Sequence, residues 1–184
     1  VTMHPVNVFA EEHIRVGSFN IAELGEGNHS ATRHWPAMAK MLTDNELDLI
    51  AIQEVGVGPQ AEKDLQTLVE KMNEWTVAEN VSYVYLVTPQ SGDERCGFIY
   101  RDPVVQEGEV MWLDDDKEPG NPSKGGEDFY RIPDAVGFHA KDFDFVVVSM
   151  HLHWTNVEQR GREVAELKEF LSDDSDPEKD WIVV

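Results

Sequence analysis

The sequence predicts a layered sandwich of sheets and helices, of the α/β or α+β class, and three observations carry that prediction. Apolar runs of strand length alternate with stretches of helical spacing, without repeats or low-complexity tracts. Hydrophobic residues make up 41% of the 184, with five Trp and eight Phe, which excludes a disordered chain and suits one core. No apolar run approaches the ~20 residues that cross a bilayer, and VTMHPVNVFAEEH lacks the pattern of a signal peptide. A soluble single domain over 1–184 is expected, its compartment left open.

The elements follow in order. Residues 14–21, IRVGSFNI, read as a strand that runs into a loop at Gly25 and Gly27. Pro36 suits a first helical turn, so a helix is expected from there to Leu42. Residues 47–53, LDLIAIQ, have the short apolar content of a buried strand. Leu65, Leu68, Val69 and Met72 fall on one face of a helix over 60–74. SYVYLVT at 82–88, RCGFIYR at 95–101 and VVQEGEVMWL at 104–113 follow closely enough to suggest hairpins. Gly, Pro and Asp make 114–128 a loop. A strand near 134–139 precedes the strongest one, FDFVVVSMHL at 143–152. Val157, Val164, Leu167 and Leu171 give 157–171 helical spacing, and WIVV closes the chain as a strand.

Charge and cysteine content narrow the function classes. Thirty-six acidic residues against 15 basic ones give a net charge of −21. That disfavours passive gripping of nucleic acid, which depends on Lys and Arg releasing counterions. The lone Cys96 excludes an internal disulfide framework and a cysteine-rich zinc site. Residues 107–128 hold eight acidic residues against two Lys, and 158–180 hold nine against four basic ones. Both runs read as solvated surface; the first does not have the alternate-ligand spacing of an EF-hand. Such an acid excess also fits a protein adapted to high salt, whose unfolding would then depend on salt concentration.

Chemistry is expected where strands run out into loops, and polar residues stand at several such places. Asn20 interrupts an apolar strand, and Glu54 ends LDLIAIQE. Glu94 and Arg95 open ERCGFIY, while Arg131 and His151 flank the third group of strands. Each alone has an ordinary explanation: a turn amide, a helix cap, a surface ion pair, a structural imidazole.

Together, FNIAELG with Asn20, IAIQEV with Glu54, DERCGFIYR with Glu94, DFYRIPDAVGF with Arg131 and VVVSMHL with His151 occur in a specific order. That order resembles the endonuclease/exonuclease/phosphatase superfamily, metal-dependent phosphodiesterases that include the pancreatic-type deoxyribonucleases. The resemblance spans about 14–184 and implies an α+β, two-sheet αββα sandwich of the deoxyribonuclease-like type. It also implies a divalent-metal-dependent hydrolase of phosphodiester bonds, with a nuclease as the leading reading. Glu54 and Asn20 would line the site of Mg²⁺, with Mn²⁺ or Ca²⁺ as alternatives, since hard cations take oxygen ligands and few carboxylates. His151 would move protons with Glu94 fixing its tautomer, and Arg131 would meet a substrate phosphate oxygen. Nucleic acid is the leading partner; no oligomer is indicated.

The match departs from the family in three places. Where the deoxyribonucleases have a groove-reading Arg after the QEV segment, this chain has Gly56, and where they have a sugar-stacking Tyr, it has Gly92. Both changes, with the charge of −21, disfavour duplex DNA. The chain also ends at Val184, before the family's G-D-x-N motif and second His, so the domain is expected to be incomplete at its C-terminus. Only the N-terminal part and the first strands of the second part would then be present. The alternatives are a phosphatase or lipid phosphodiesterase on the same scaffold, or a catalytically incomplete binding protein. A zinc hydrolase built on His151 and His153, placed on one strand face, lacks a third ligand that His34 would not supply.

Overall fold

The computed structural model describes residues 13–27, 29–89, 94–113, 129–172 and 180–184. The loop expected over 114–128, Gly92, and residues 173–179 of the second acidic run lie outside them. Among the described residues, eight strands form two four-stranded sheets. The first contains β1 (Val16–Leu24), β2 (Leu49–Gly56), β3 (Tyr83–Val87) and β4 (Glu94–Arg101) in the order β1-β2-β4-β3. The second contains β5 (Val104–Trp112), β6 (Asp134–Ala140), β7 (Phe143–Ser149) and β8 (Trp181–Val183) in sequence order.

Both parallel pairs are crossed over by helices, as parallel pairing requires. The short α1 (His29–Thr32) and α2 (Trp35–Asp44) join β1 to β2, and α4 (Val157–Leu171) joins β7 to β8. The long α3 (Pro59–Thr76) follows β2 and lies beside α2 on the same face of the first sheet.

Strand alternation sorts the apolar residues into three cores. Ile50 and Ile52 of β2 pack with α3 residues Leu65, Leu68 and Met72, whereas Leu49 and Ala51 face the other sheet. In β7, Phe145 and Val147 meet that inter-sheet core while Val146 and Val148 turn to Leu167 of α4. The layer order is therefore helices, sheet, sheet, helix: the expected α+β sandwich. Phe138 lies at the centre, its ring 5.7 Å from Phe98, 5.5 Å from Tyr100 and 6.1 Å from Phe145.

Three expectations need correction. The closely spaced 95–101 and 104–113 segments form no hairpin, because β4 is already flanked by β2 and β3 and has no free edge for β5. The chain instead passes through Asp102 and Pro103 into the second sheet, where β5 pairs with β6. The strongest strand stops at Ser149, so His151 and His153 do not share a strand face. The stripe on α4 is also displaced: Val157 and Val164 are exposed, and the buried positions are Glu163 and Leu167.

Candidate active site

Topology brings the five singled-out residues to one end of the sandwich. Antiparallel pairing sets Gly56 opposite Glu94, so the end of β2 and the start of β4 coincide. Parallel pairing puts Asn20 of β1 beside Gln53, one residue before Glu54. In the second sheet Asp134 pairs with Ser149, which places Arg131 just before β6 and His151 just after β7 at the same end. Buried Gln53 joins the sheets there, donating through its amide nitrogen to Ser18 Oγ at 3.1 Å and Ser149 Oγ at 3.0 Å.

Glu54 leaves the strand through a bulge. The β2–β4 register shifts between Ile52 and Val55, and Glu54 has a left-handed φ of 63°. Ala22 (φ 58°) and Glu23 (φ 53°) are left-handed beside it, at a register shift between Asn20 and Leu24. Non-glycine residues enter that region at a cost of about 1–3 kcal/mol each, so surrounding contacts must hold them. Arg33 donates to the carbonyls of Ile21 and Ala22, and the Glu23 N–H donates to Glu54 Oε2 at 3.0 Å. Arg95 fixes the other side, donating to Gly56 O from Nε at 3.0 Å and from its terminal nitrogen at 2.7 Å. Burial of the Arg33 guanidinium lowers its pKa, opposed by the nearby charges of Asp64, Glu23 and Glu54.

The side chains then form a continuous polar path. Asn20 Nδ2 donates to Glu54 Oε1 at 2.6 Å while Asn20 Oδ1 accepts from the Ala22 N–H at 2.9 Å. Glu54 Oε1 stands 3.5 Å from His151 Nε2, and His151 Nδ1 lies 2.8 Å from Glu94 Oε2. A carboxylate only accepts, so the proton of this hydrogen bond sits on Nδ1 and Nε2 faces Glu54. The other Glu94 oxygen, Oε1, pairs with Arg131 at 2.6 Å. Glu94 therefore pairs with Arg131 across the sheets, not with its sequence neighbour Arg95.

The rim is aromatic. Tyr130 lies with its ring 4.9 Å from the Arg131 guanidinium carbon and 4.5 Å from the His153 ring. His153 Nδ1 accepts from the N–H groups of Thr155 and Asn156 at 3.3 and 3.2 Å, which commits it to the start of α4. Exposed Trp154 stands next to it. Beneath the site, burial raises the Asp134 carboxyl to about 7, even with Thr88 Oγ1 donating to it at 2.9 Å. Burial likewise pushes the Cys96 thiol well above its usual range. Among the described residues, no three or more His, Cys, Asp or Glu side chains gather as a metal-ligand cluster, and no helix is long and apolar enough to cross a membrane.

Sequence reasoning missed Arg33 and Glu163 as residues that build this end of the molecule, and it singled out Arg95 without its bonds to Gly56 O. Glu163 was legible in part: it stands four residues before Leu167, on the same helix stripe as Phe170 and Leu171.

No protein-family model and no curated protein sequence matches the chain. Solved structures do. A mannosyl-6-phosphatase from Bacteroides thetaiotaomicron superposes with a TM-score of 0.66 at 20% identity, over 93% of this chain and 64% of that one. An endonuclease/exonuclease/phosphatase family protein from the same organism gives 0.62 at 20% identity, over 87% and 58%. TDP2 from D. rerio, complexed with a single-strand DNA product, gives 0.57 at 16% identity, over 92% and 58%. The chain has the fold that these proteins share, and spans less than two thirds of their length.

Proposed function

We propose that this chain contributes one part of the active site of a divalent-metal-dependent phosphoesterase, acting on phosphodiester bonds with nucleic acid as the leading substrate class. One observation carries the reading: Asn20, Glu54, His151, Glu94 and Arg131, from five separate segments, meet as one polar path at one end of the sandwich. Folding alone has no use for two carboxylates flanking one half-buried imidazole. The structures with the same fold include a phosphatase and a protein holding a DNA product, which supports phosphoester chemistry.

The donor set suits a hard cation. Mg²⁺ keeps several waters and takes one or two carboxylates together with substrate phosphate. Glu54 offers one, each oxygen accepting a single hydrogen bond from the protein and retaining capacity for a cation. Asn20 aims that carboxylate and keeps its carbonyl oxygen nearby. Bound there, Mg²⁺, or Mn²⁺ or Ca²⁺ in its place, would polarise a phosphoryl oxygen and offset transition-state charge.

The chain's own residues account for one proton. With Nδ1–H held by Glu94, His151 Nε2 takes a proton from water as the water oxygen bonds to phosphorus. The phosphorus–oxygen bond opposite breaks, the leaving oxygen takes a proton from solvent water, and His151 afterwards returns its proton to solvent. Arg131, held by Glu94, would offer a permanent positive charge to a phosphate oxygen.

A monoester phosphatase is the second reading, and Gly56 favours it. A Cβ at this position would come within 2.7 Å of Leu24 O and 3.0 Å of Glu26 Cγ, so no groove-reading side chain fits there. Assays of the full-length protein on single-stranded DNA, duplex DNA, bis-p-nitrophenyl phosphate and p-nitrophenyl phosphate, with and without Mg²⁺, separate the readings. Hydrolysis of the diesters that is lost with His151→Ala supports the first; preference for the monoester selects the second. Activity indifferent to both His151→Ala and Glu54→Gln overturns the site.

A further inference from the structure

Glu163 is a charged residue where a helix should be apolar. It lies inside α4 and is 1% exposed, between the helix and the second sheet, beside Leu167. A buried carboxylate is costly unless hydrogen bonds replace its water. Both oxygens have such bonds, and both come from backbone N–H groups near the site. Oε1 accepts from the Tyr130 N–H at 2.9 Å, and Oε2 accepts from the His153 N–H at 3.0 Å.

Those two amides belong to different loops. Tyr130 is the residue before Arg131 in the segment that enters β6, and His153 is two residues after His151 in the segment that leaves β7. Arg160, one turn earlier on α4, reinforces the second loop by donating to the carbonyls of His153 and Trp154, both at 3.2 Å. Charge-assisted bonds of this kind are short and directional, so the helix fixes the loop backbones more firmly than apolar packing does.

We propose that Glu163 is a positioning residue: its carboxylate clamps the loop bearing Arg131 to the loop bearing His151, and so sets the spacing between phosphate contact and proton acceptor. The proposal rests on the active-site reading above and deepens it. Glu163 touches no substrate. It acts through the backbone of Tyr130 and His153, and through the Tyr130–His153 ring contact that those backbones support.

The test uses Glu163→Gln in the full-length protein, with Leu171→Ala as the control. Glutamine has the same shape but one acceptor oxygen, so one of the two N–H groups faces an amide donor instead. Leu171 packs against the same helix–sheet core at the far end of α4, two turns beyond Glu163. Kinetics on bis-p-nitrophenyl phosphate are measured well below the melting temperature of each variant. The expected result for Glu163→Gln is a kcat/KM ten- to hundredfold lower, with kcat reduced and KM raised, because displacements near 1 Å have effects of that size. Amide hydrogen exchange at Tyr130 or His153 should quicken at least tenfold, while Leu171→Ala retains parental kinetics. Parental kcat and KM in Glu163→Gln, with quickened exchange, would make the clamp merely structural and overturn the proposal. Equal losses in both variants would overturn it too. Should Glu163→Gln not fold, Glu163→Asp, which shortens the reach, is read by the same criteria. His151→Ala run in parallel keeps the two levels apart: if it retains activity, the site reading itself has failed.

Discussion

His151 Nδ1 lies 2.8 Å from Glu94 Oε2, and that contact crosses from the loop after β7 in one sheet to the first residue of β4 in the other. The same carboxylate holds Arg131 by its second oxygen, so three segments depend on one side chain. Glu94→Gln should lower kcat by one to two orders of magnitude, because an amide carries no negative charge to offset the positive charge that the imidazole gains with a proton. Glu94→Ala should also lower stability by about 2 kcal/mol, since the charged hydrogen bond between Glu94 and Arg131 would be lost. Steady-state kinetics and urea unfolding of both variants distinguish the two effects; equal kinetics in Glu94→Gln and the parent would exclude a role in tuning His151.

Glu54 is expected to govern metal dependence. Glu54→Gln preserves size and can keep the hydrogen bond from the Glu23 N–H, but it turns an amide donor toward Asn20 Nδ2 and removes the charge that attracts a cation. The Mg²⁺ concentration for half-maximal activity should rise at least tenfold, and chelation should abolish the activity of the parent. Titration of activity with Mg²⁺ checks this, and an unchanged midpoint would move the metal elsewhere.

Much of this site was legible because its residues stand where apolar runs stop. Glu54 follows LDLIAIQ and His151 follows FDFVVVSM, and in a layered fold such positions collect at sheet ends. The partner choices were not legible. Glu94 and Arg95 are neighbours in sequence, yet successive strand residues point to opposite faces, so Arg95 reaches Gly56 O and Glu94 reaches the other sheet. The left-handed turn at Glu54 depends on Glu23, 31 residues away, and no local propensity announces it. On α4 the apolar residues Val157 and Val164 suggested a stripe that tertiary packing rejected in favour of buried Glu163. That choice follows from two loop amides needing an acceptor, which periodicity does not record.

Asp134 gives the protein a specific pH dependence. Burial raises its carboxyl from 3.8 in the unfolded chain to about 7 in the fold, so the folded state binds the proton more tightly. Its stabilising contribution is therefore complete below about pH 4 and falls as pH rises, until it is gone above about pH 7. Asp134→Asn, which is neutral throughout, should show a flatter stability–pH curve and gain relative to the parent on going from pH 5 to pH 8. The relative gain should amount to a few kcal/mol, as each pKa unit corresponds to about 1.4 kcal/mol. Urea midpoints of parent and variant at the two pH values test the sign; a parallel pair of curves would place the proton elsewhere.

Two glycines separate backbone conformation from packing. Gly25 and Gly108 have nearly the same left-handed φ, 78° and 77°, so an alanine at either position carries the same conformational penalty of about 1 kcal/mol. Their surroundings differ. A Cβ on Gly108 meets nothing within 4 Å, whereas one on Gly25 would lie 2.2 Å from the backbone nitrogen of Ala61 and 2.3 Å from its Cα. Ala61 belongs to the first turn of α3, so the turn after β1 is pressed against the helix start by a contact that admits no side chain. Gly108→Ala should therefore cost about 1 kcal/mol, and Gly25→Ala at least 2 kcal/mol more, because backbone on both sides must move. That movement would begin two residues from Glu23, whose N–H holds Glu54, so Gly25→Ala should also weaken Mg²⁺-dependent activity while Gly108→Ala leaves it intact. Denaturation curves and Mg²⁺ titrations of the pair measure both effects, and equal costs at the two sites would mean that the turn does not brace the carboxylate.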